Sequence, residues 1–138
     1  MRLRGRRADR GATAVETALV LPLLLMVVFA MIDFGRMLNA QIKVTEAARE
    51  GARALTLVDE EEADAVAGTV MGGPPGTDLE PGLWIAVPDG DCTVGGTHEA
   101  TYEVAYGFEF VTPLTMLAGM AVDTPLRLAA KAVMPCRA

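Results

Sequence analysis

Residues 17–32 carry no charge, and the ten residues before Gly11 carry five arginines: Arg2, Arg4, Arg6, Arg7 and Arg10. An apolar run of this kind has no polar face, so as a helix it belongs inside a large core or in lipid. Extended back to Ala12 it covers 21 residues with one interruption, Glu16. As a helix that is roughly 30 Å, the hydrocarbon thickness of a bilayer. Pro22 lies inside it. A proline removes one backbone donor and bends a helix, and membrane helices tolerate this better than soluble ones.

Charge gives the run a direction. Residues 1–11 hold five Arg and one Asp, whereas residues 12–138 hold seven basic and seventeen acidic groups. Lys and Arg beside a span are retained on the cytoplasmic side, which sends the acidic remainder outside. An acidic exported part gives no support for nucleic-acid binding, which needs a basic surface for phosphate. A basic arm for nucleic acid or lipid is the alternative reading of the arginines, opposed by the apolar run that follows at once. Residues 1–10 are expected to be disordered, with a helix starting near Thr13.

Helical periodicity continues past the apolar run. Met37, Val44, Ala48, Gly51, Ala52, Leu55 and Val58 share one direction, while Arg36, Lys43, Glu46, Arg49, Glu50 and Arg53 fall on the other side. One helix over about residues 13–57 follows, oily all round in its first half and amphipathic in its second. Glu46–Arg49 and Glu50–Arg53 stand at the i,i+3 spacing of helical ion pairs. Asp59 and Glu62 have the spacing of a capping box, so a short second helix is expected over residues 60–71. Gly72-Gly73-Pro74-Pro75-Gly76 ends it. The acidic run at 59–62 reads as a solvated helix start, with a cation site as the alternative.

The last third reads as strands. Residues 83–87 are short and apolar, ended by Pro88. Over residues 101–110, Tyr102, Val104, Tyr106, Phe108 and Phe110 share one face. Over 126–134, Leu126, Leu128, Ala130, Ala132 and Met134 do the same, with bases opposite the acids of the previous strand. The expected fold is α+β: a long N-terminal helix, a short second helix, and an antiparallel sheet of about three strands. The dry face of the sheet packs on the helix and the other face is wet. Residues 111–125 form a long, apolar connection, read as a turn over the sheet edge or as a contact with a partner or membrane. Cys92 and Cys136 lie beyond the span, where a disulfide can persist; two unpaired thiols are the alternative.

Gly11 stands five residues before Glu16, after a basic leader and before an apolar run. Ile32-Asp33-Phe34-Gly35-Arg36 and Ala47-Ala48-Arg49-Glu50-Gly51-Ala52-Arg53 follow. This pattern resembles the TadE-like family, pseudopilins of tight-adherence (Flp-type) pilus assembly, closely over residues 10–58 and in outline beyond. The resemblance implies a prepilin peptidase that cuts between Gly11 and Ala12. It implies that Glu16 then meets the freed amine of Ala12 on a neighbouring subunit. Its domains would be a cleaved leader (1–11), a transmembrane helix (12–34) and an exported pilin-like domain (35–138). Its partners would be the prepilin peptidase, other pilus subunits, the inner-membrane assembly platform and membrane lipid. The site would be the cytoplasmic membrane, N-terminus inside. Flp-type major pilins are much shorter, and their acid is usually followed by tyrosine where this chain has Thr17, so a minor subunit or assembly factor fits better than bulk filament.

Two rival readings stand beside it. In one, the arginines and residues 17–30 are a signal peptide cut after Ala30. In the other, the chain is an uncut membrane-anchored accessory or sensor domain. Asp33 and Arg36, one turn apart, read as an ion pair at the outer headgroups. No enzyme is expected. The chain has no serine, one histidine (His98) and no phosphate-binding glycine loop. No cofactor or metal is implied.

Overall fold

The computed structural model describes residues 5–89, 92, 99–111 and 125–136. The elements are α1 (Gly5–Leu55), α2 (Glu60–Met71), β1 (Trp84–Asp89), β2 (Glu99–Phe108) and β3 (Leu126–Pro135). This is the α+β fold expected: a long helix, a short one, and a three-stranded antiparallel sheet in the order β1-β2-β3.

The helix α1 has 51 residues, about 77 Å at 1.5 Å per residue. It begins at Gly5, well before Thr13, so residues 5–10 are helical where disorder was expected. The reason is local. Arg and Ala are good helix formers, and a weak position such as Gly11 costs only about 1 kcal/mol in a helix that is already propagating. Beyond Ile32 the helix acquires a dry side. Val44, Ala47, Ala48, Ala52, Ala54 and Leu55 are buried, and the charged positions from Arg36 to Arg53 stay exposed. Among the described residues the side-chain ion pairs are Asp33–Arg36 and Glu103–Arg127, and the expected helical pairs at 46/49 and 50/53 are not formed.

After α1 the chain turns once and is recapped. Asp59 accepts a hydrogen bond from the Glu62 backbone N–H at 3.0 Å, the forward half of the expected capping box. The helix α2 stops at Gly72, whose left-handed φ of 94° lets its N–H donate to Gly68 O at 2.8 Å. Ala63 and Ala67 of α2 pack against the upper part of α1.

The sheet lies against the same helix. Tyr102, Val104 and Phe108 of β2 point into the core, with Trp84 of β1 and Leu128 of β3. Two details differ from the sequence expectation. Pro88 lies inside β1, paired with Tyr102, and does not end it. Because β1 is an edge strand, a residue without an N–H is tolerated there. The second face of the sheet is also partly covered. Residues 80–83 fold across Gly107: Gly82 N–H donates to Gly107 O at 2.8 Å and Gly107 N–H to Leu83 O at 3.0 Å. A Cβ at Gly107 would stand 2.9 Å from the carbonyl carbon of Glu80, so glycine permits this crossing. The exposed remainder of that face carries the Arg127–Glu103 bond at 2.9 Å, reaching past the register partner Lys131.

Cys92, beyond β1, and Cys136, beyond β3, are joined by a disulfide with Cα atoms 5.4 Å apart and a separation of 44 positions in sequence. Both strands finish beside the start of β2, so the bond ties the two outer strands across the central one. In the chain-entropy account a loop of this length stabilises by about 4 kcal/mol. Most of the apolar connection, residues 112–124, lies outside the described residues, as do residues 93–98 with His98.

Candidate functional site

Three places in the molecule hold the residues singled out by sequence. The first is the bare half of α1. Val15, Leu19, Val20, Leu23 and Leu24 are all more than half exposed, which in water would be untenable for so much apolar surface. The segment is long and apolar enough to cross a membrane, with a mean hydropathy of 2.5 over its most apolar window and none of that window buried. Gly11, Ala12 and Glu16 lie on this bare segment and are exposed. Glu16 makes no ion pair with any described residue. It flanks a shallow groove formed with Thr13, Thr17, Val20, Leu21 and Leu24. Thr17 Oγ1 donates to Thr13 O at 2.9 Å, which satisfies the hydroxyl within the helix and leaves the carboxylate as the polar group without a mate there. A lone carboxylate on an apolar helix is costly to bury in lipid.

The second place is where the helix leaves the apolar run. Asp33 is 3% exposed, the buried charged residue of the structure among those described. Its Oδ1 lies 3.6 Å from Arg36 Nη1 and accepts from the Val111 backbone N–H at 3.3 Å. The ion pair expected at this boundary is therefore present, and it also ties the end of the β2 segment to the helix. Arg36 lies 5.5 Å over the Phe108 ring, and Phe108 meets Phe110 edge-on at 5.4 Å. Arg36, Asn39, Lys43, Tyr106 and Phe108 line an open cleft of about 170 Å³.

The third place is the core junction of α1, α2 and β2. The Tyr102 hydroxyl donates to Asp64 Oδ1 of α2. The Tyr102 ring lies against Gly51 of α1. Trp84 Nε1 donates to Gly73 O at 3.1 Å, holding β1 to the end of α2. Burial first, and then the hydrogen bond to and the negative charge of Asp64, push the Tyr102 phenol far above its ordinary value. The folded protein therefore keeps this proton after the unfolded chain has lost it. The contribution is complete below about pH 10, the unfolded value, and falls as pH rises beyond it. Alkaline absorbance titration is expected to show one of the two tyrosines ionising only as the domain unfolds, and Tyr102→Phe is expected to remove that late step. Sequence gave Tyr102 its inward face but no sign of Asp64 as its partner, because Asp64 sits in a run of acids that reads as solvated.

Among the described residues no three of His, Cys, Asp and Glu are grouped to hold a metal ion. What the fold and these sites define is a small α+β domain carried on the end of a helix suited to a membrane. Residues 11–53 match the family model of TadE-like proteins, which supports the resemblance carried by Gly11, Glu16 and the two downstream motifs. That match and the apolar N-terminal helix fit a membrane protein associated with the tight-adherence pilus. No curated protein and no solved structure matches the chain.

Proposed function

We propose that this chain is a single-pass, pseudopilin-like subunit in the assembly of a tight-adherence pilus. Its leader, residues 1–11, is removed by a prepilin peptidase between Gly11 and Ala12. Residues 12–34 cross the cytoplasmic membrane with the N-terminus inside, and residues 35–138 stand outside as the pilin-like domain. There the disulfide between Cys92 and Cys136 finds an oxidising compartment. The partners are the peptidase, other pilus subunits, the inner-membrane platform and lipid. One observation carries this reading: Glu16 is exposed on the bare apolar half of α1, five residues after Gly11, with no ion-pair partner among the described residues. A freed amine on Ala12 of a neighbouring subunit supplies the missing charge.

A signal-peptide cut after Ala30 would divide α1 near the middle of its length, whereas Gly11 lies near its start. The Gly11–Ala12 bond lies within α1 too, so the helix must open locally for cleavage. Glycine makes that opening easier by about 1 kcal/mol relative to alanine. Expressed with its peptidase, the protein is expected to begin at Ala12 by N-terminal sequencing, and Gly11→Val to remain uncut. A mature chain that starts at Met31, or an intact Met1, overturns the proposal.

A further inference from the structure

The cleft beside the point where α1 leaves the apolar run is built on one ridge of the helix. Arg36, Asn39 and Lys43 follow one another at steps of three and four residues, so they share a face, and all three are exposed. Tyr106 and Phe108 of β2 and Met71 of α2 close the other side, around an open volume of about 170 Å³. Residues 12–138 hold seventeen acids and only seven bases. Two of those bases nevertheless line this one cleft, and no carboxylate lines it among the described residues. The donors around it are also unspent. Lys43 makes no ion pair among the described residues, and neither the Asn39 amide nor the Tyr106 hydroxyl has a hydrogen-bond partner among them. Arg36 is already held in place, by Asp33 at 3.6 Å and by the Phe108 ring at 5.5 Å. A guanidinium has several N–H donors, so these contacts fix the group and leave donors over for a ligand. Two cations with an amide and a phenol beside them, over the apolar side chains of Met71 and Phe108, select an anion with several oxygens.

Depth narrows the choice of anion. Residues 12–32 fill the hydrocarbon thickness of about 30 Å. The Cα of Arg36 then stands about 6 Å, and that of Lys43 about 16 Å, further along the axis. Side chains on a helix lean toward its N-terminus, which here means toward the bilayer. The polar layer of a bilayer is some 5–8 Å deep on each side. The Arg36 guanidinium therefore falls within that layer, and the Lys43 ammonium is carried down toward its outer edge. The anion that a bilayer itself presents at this depth is the phosphodiester of its lipids.

We propose that this cleft binds a phosphate group, and that the headgroup of an anionic phospholipid in the outer leaflet supplies it. Arg36 and Lys43 take the charge, Asn39 and Tyr106 donate to the remaining oxygens, and Met71 and Phe108 face the uncharged part of the headgroup. A lipid seated there ties the foot of the folded domain to the bilayer at a second point besides α1 itself. The lipid source rests on the membrane-spanning part of the proposed function; the phosphate chemistry of the cleft does not, and neither depends on cleavage at Gly11.

The test uses the full chain purified in a mild detergent. In one arm, native mass spectrometry counts the phosphatidylglycerol or phosphatidylcholine that it retains; in the other, inorganic phosphate is titrated by calorimetry at constant ionic strength. Lys43→Glu and Asn39→Asp place a negative charge in the cleft at exposed positions that hold no other group. Lys131→Glu makes the same charge change as Lys43→Glu on the exposed face of the sheet. The Cys92–Cys136 disulfide, read by mass, and an unchanged Tm show that each variant has folded. Wild type and Lys131→Glu are expected to retain one phosphatidylglycerol in preference to phosphatidylcholine. Both cleft variants are expected to bind it at least about tenfold more weakly, because an attraction at contact distance has become a repulsion. Equal retention in all four proteins, or no binding of either probe, overturns the proposal. Inorganic phosphate bound in the cleft with no lipid retained overturns the headgroup as its source. An uncut chain would bind as well as a cut one, so failure of the cleavage reading and failure of this one are separable.

Discussion

Glu16→Gln is expected to yield a chain that is cut, inserted and folded but does not join the pilus machinery. The scissile Gly11–Ala12 bond is untouched by the change, and the folded domain begins well beyond residue 16. Glutamine keeps the shape of the side chain and loses its charge. If Glu16 pairs with the amine of Ala12 on a neighbour, that amine is left in lipid without a mate. Removing half of a buried ion pair costs about 3–5 kcal/mol. At 1.4 kcal/mol per tenfold this is roughly a hundredfold or more in association. Recovery of the other pilus subunits with the variant, compared with wild type, reads it. Were Glu16 only a boundary residue, a neutral amide would be easier to bury, and recovery and piliation would stay at the wild-type level.

Gly51→Ala is expected to destabilise the domain although alanine is the better helix former. The substitution gains about 1 kcal/mol of helix propensity. Against that, a Cβ at position 51 would stand 2.8 Å from Tyr102 Cζ and closer still to the ring edge. Tyr102 is fully buried and is held by Asp64, so the ring cannot swing aside. Relief requires α1 and β2 to move apart, and overpacking of this kind costs typically about 1–3 kcal/mol. A ring contact this close belongs at the upper end, leaving a net loss of about 2 kcal/mol. For a domain of roughly a hundred residues this lowers Tm by about 8–16 °C. The double variant with Tyr102→Val separates the terms. Without the ring, Gly51→Ala is expected to become stabilising, and a change of sign within the cycle identifies the contact. Additive effects would show that the helix and the strand do not meet there as described.

Much of the architecture was legible in residue order, for physical reasons that operate locally. Residues 12–32 are apolar on every side, which demands a non-aqueous surrounding whatever the rest of the chain does. Val44, Ala48, Ala52 and Leu55 repeat at helical period and are among the residues α1 buries. Asp59 caps α2 because its side chain reaches an N–H three residues on, a contact that needs no tertiary structure. Alternation placed Tyr102, Val104 and Phe108 on the inner face of β2. The helical state of residues 5–10 was not legible, because charge and the lack of a burial face point to disorder, whereas the arginines' helix propensity and the helix propagating behind them decide the outcome. The interior position of Pro88 was missed because the rule against proline in strands applies where both neighbours are bonded, and residue order alone does not say which strand is at the edge.

The tertiary structure alone decided which distant groups meet. Gly51 is an ordinary weak point in a helix until Tyr102 is brought against it. Asp64 is one of several acids until Tyr102 of β2 supplies a phenol to it. Asp33 is a boundary charge until Val111 returns to the foot of the domain and gives its N–H to the carboxylate. The covered outer face at Gly107 exists only because residues 80–83 fold back over it. Each of these rests on groups far apart in the chain, and local pattern carries period, polarity and caps but not the identity of a partner many residues away. The apolar helix, its orientation charges and its amphipathic extension were set by the sequence; the contacts that hold the domain to that helix, and the side of the helix left bare, were set by the fold.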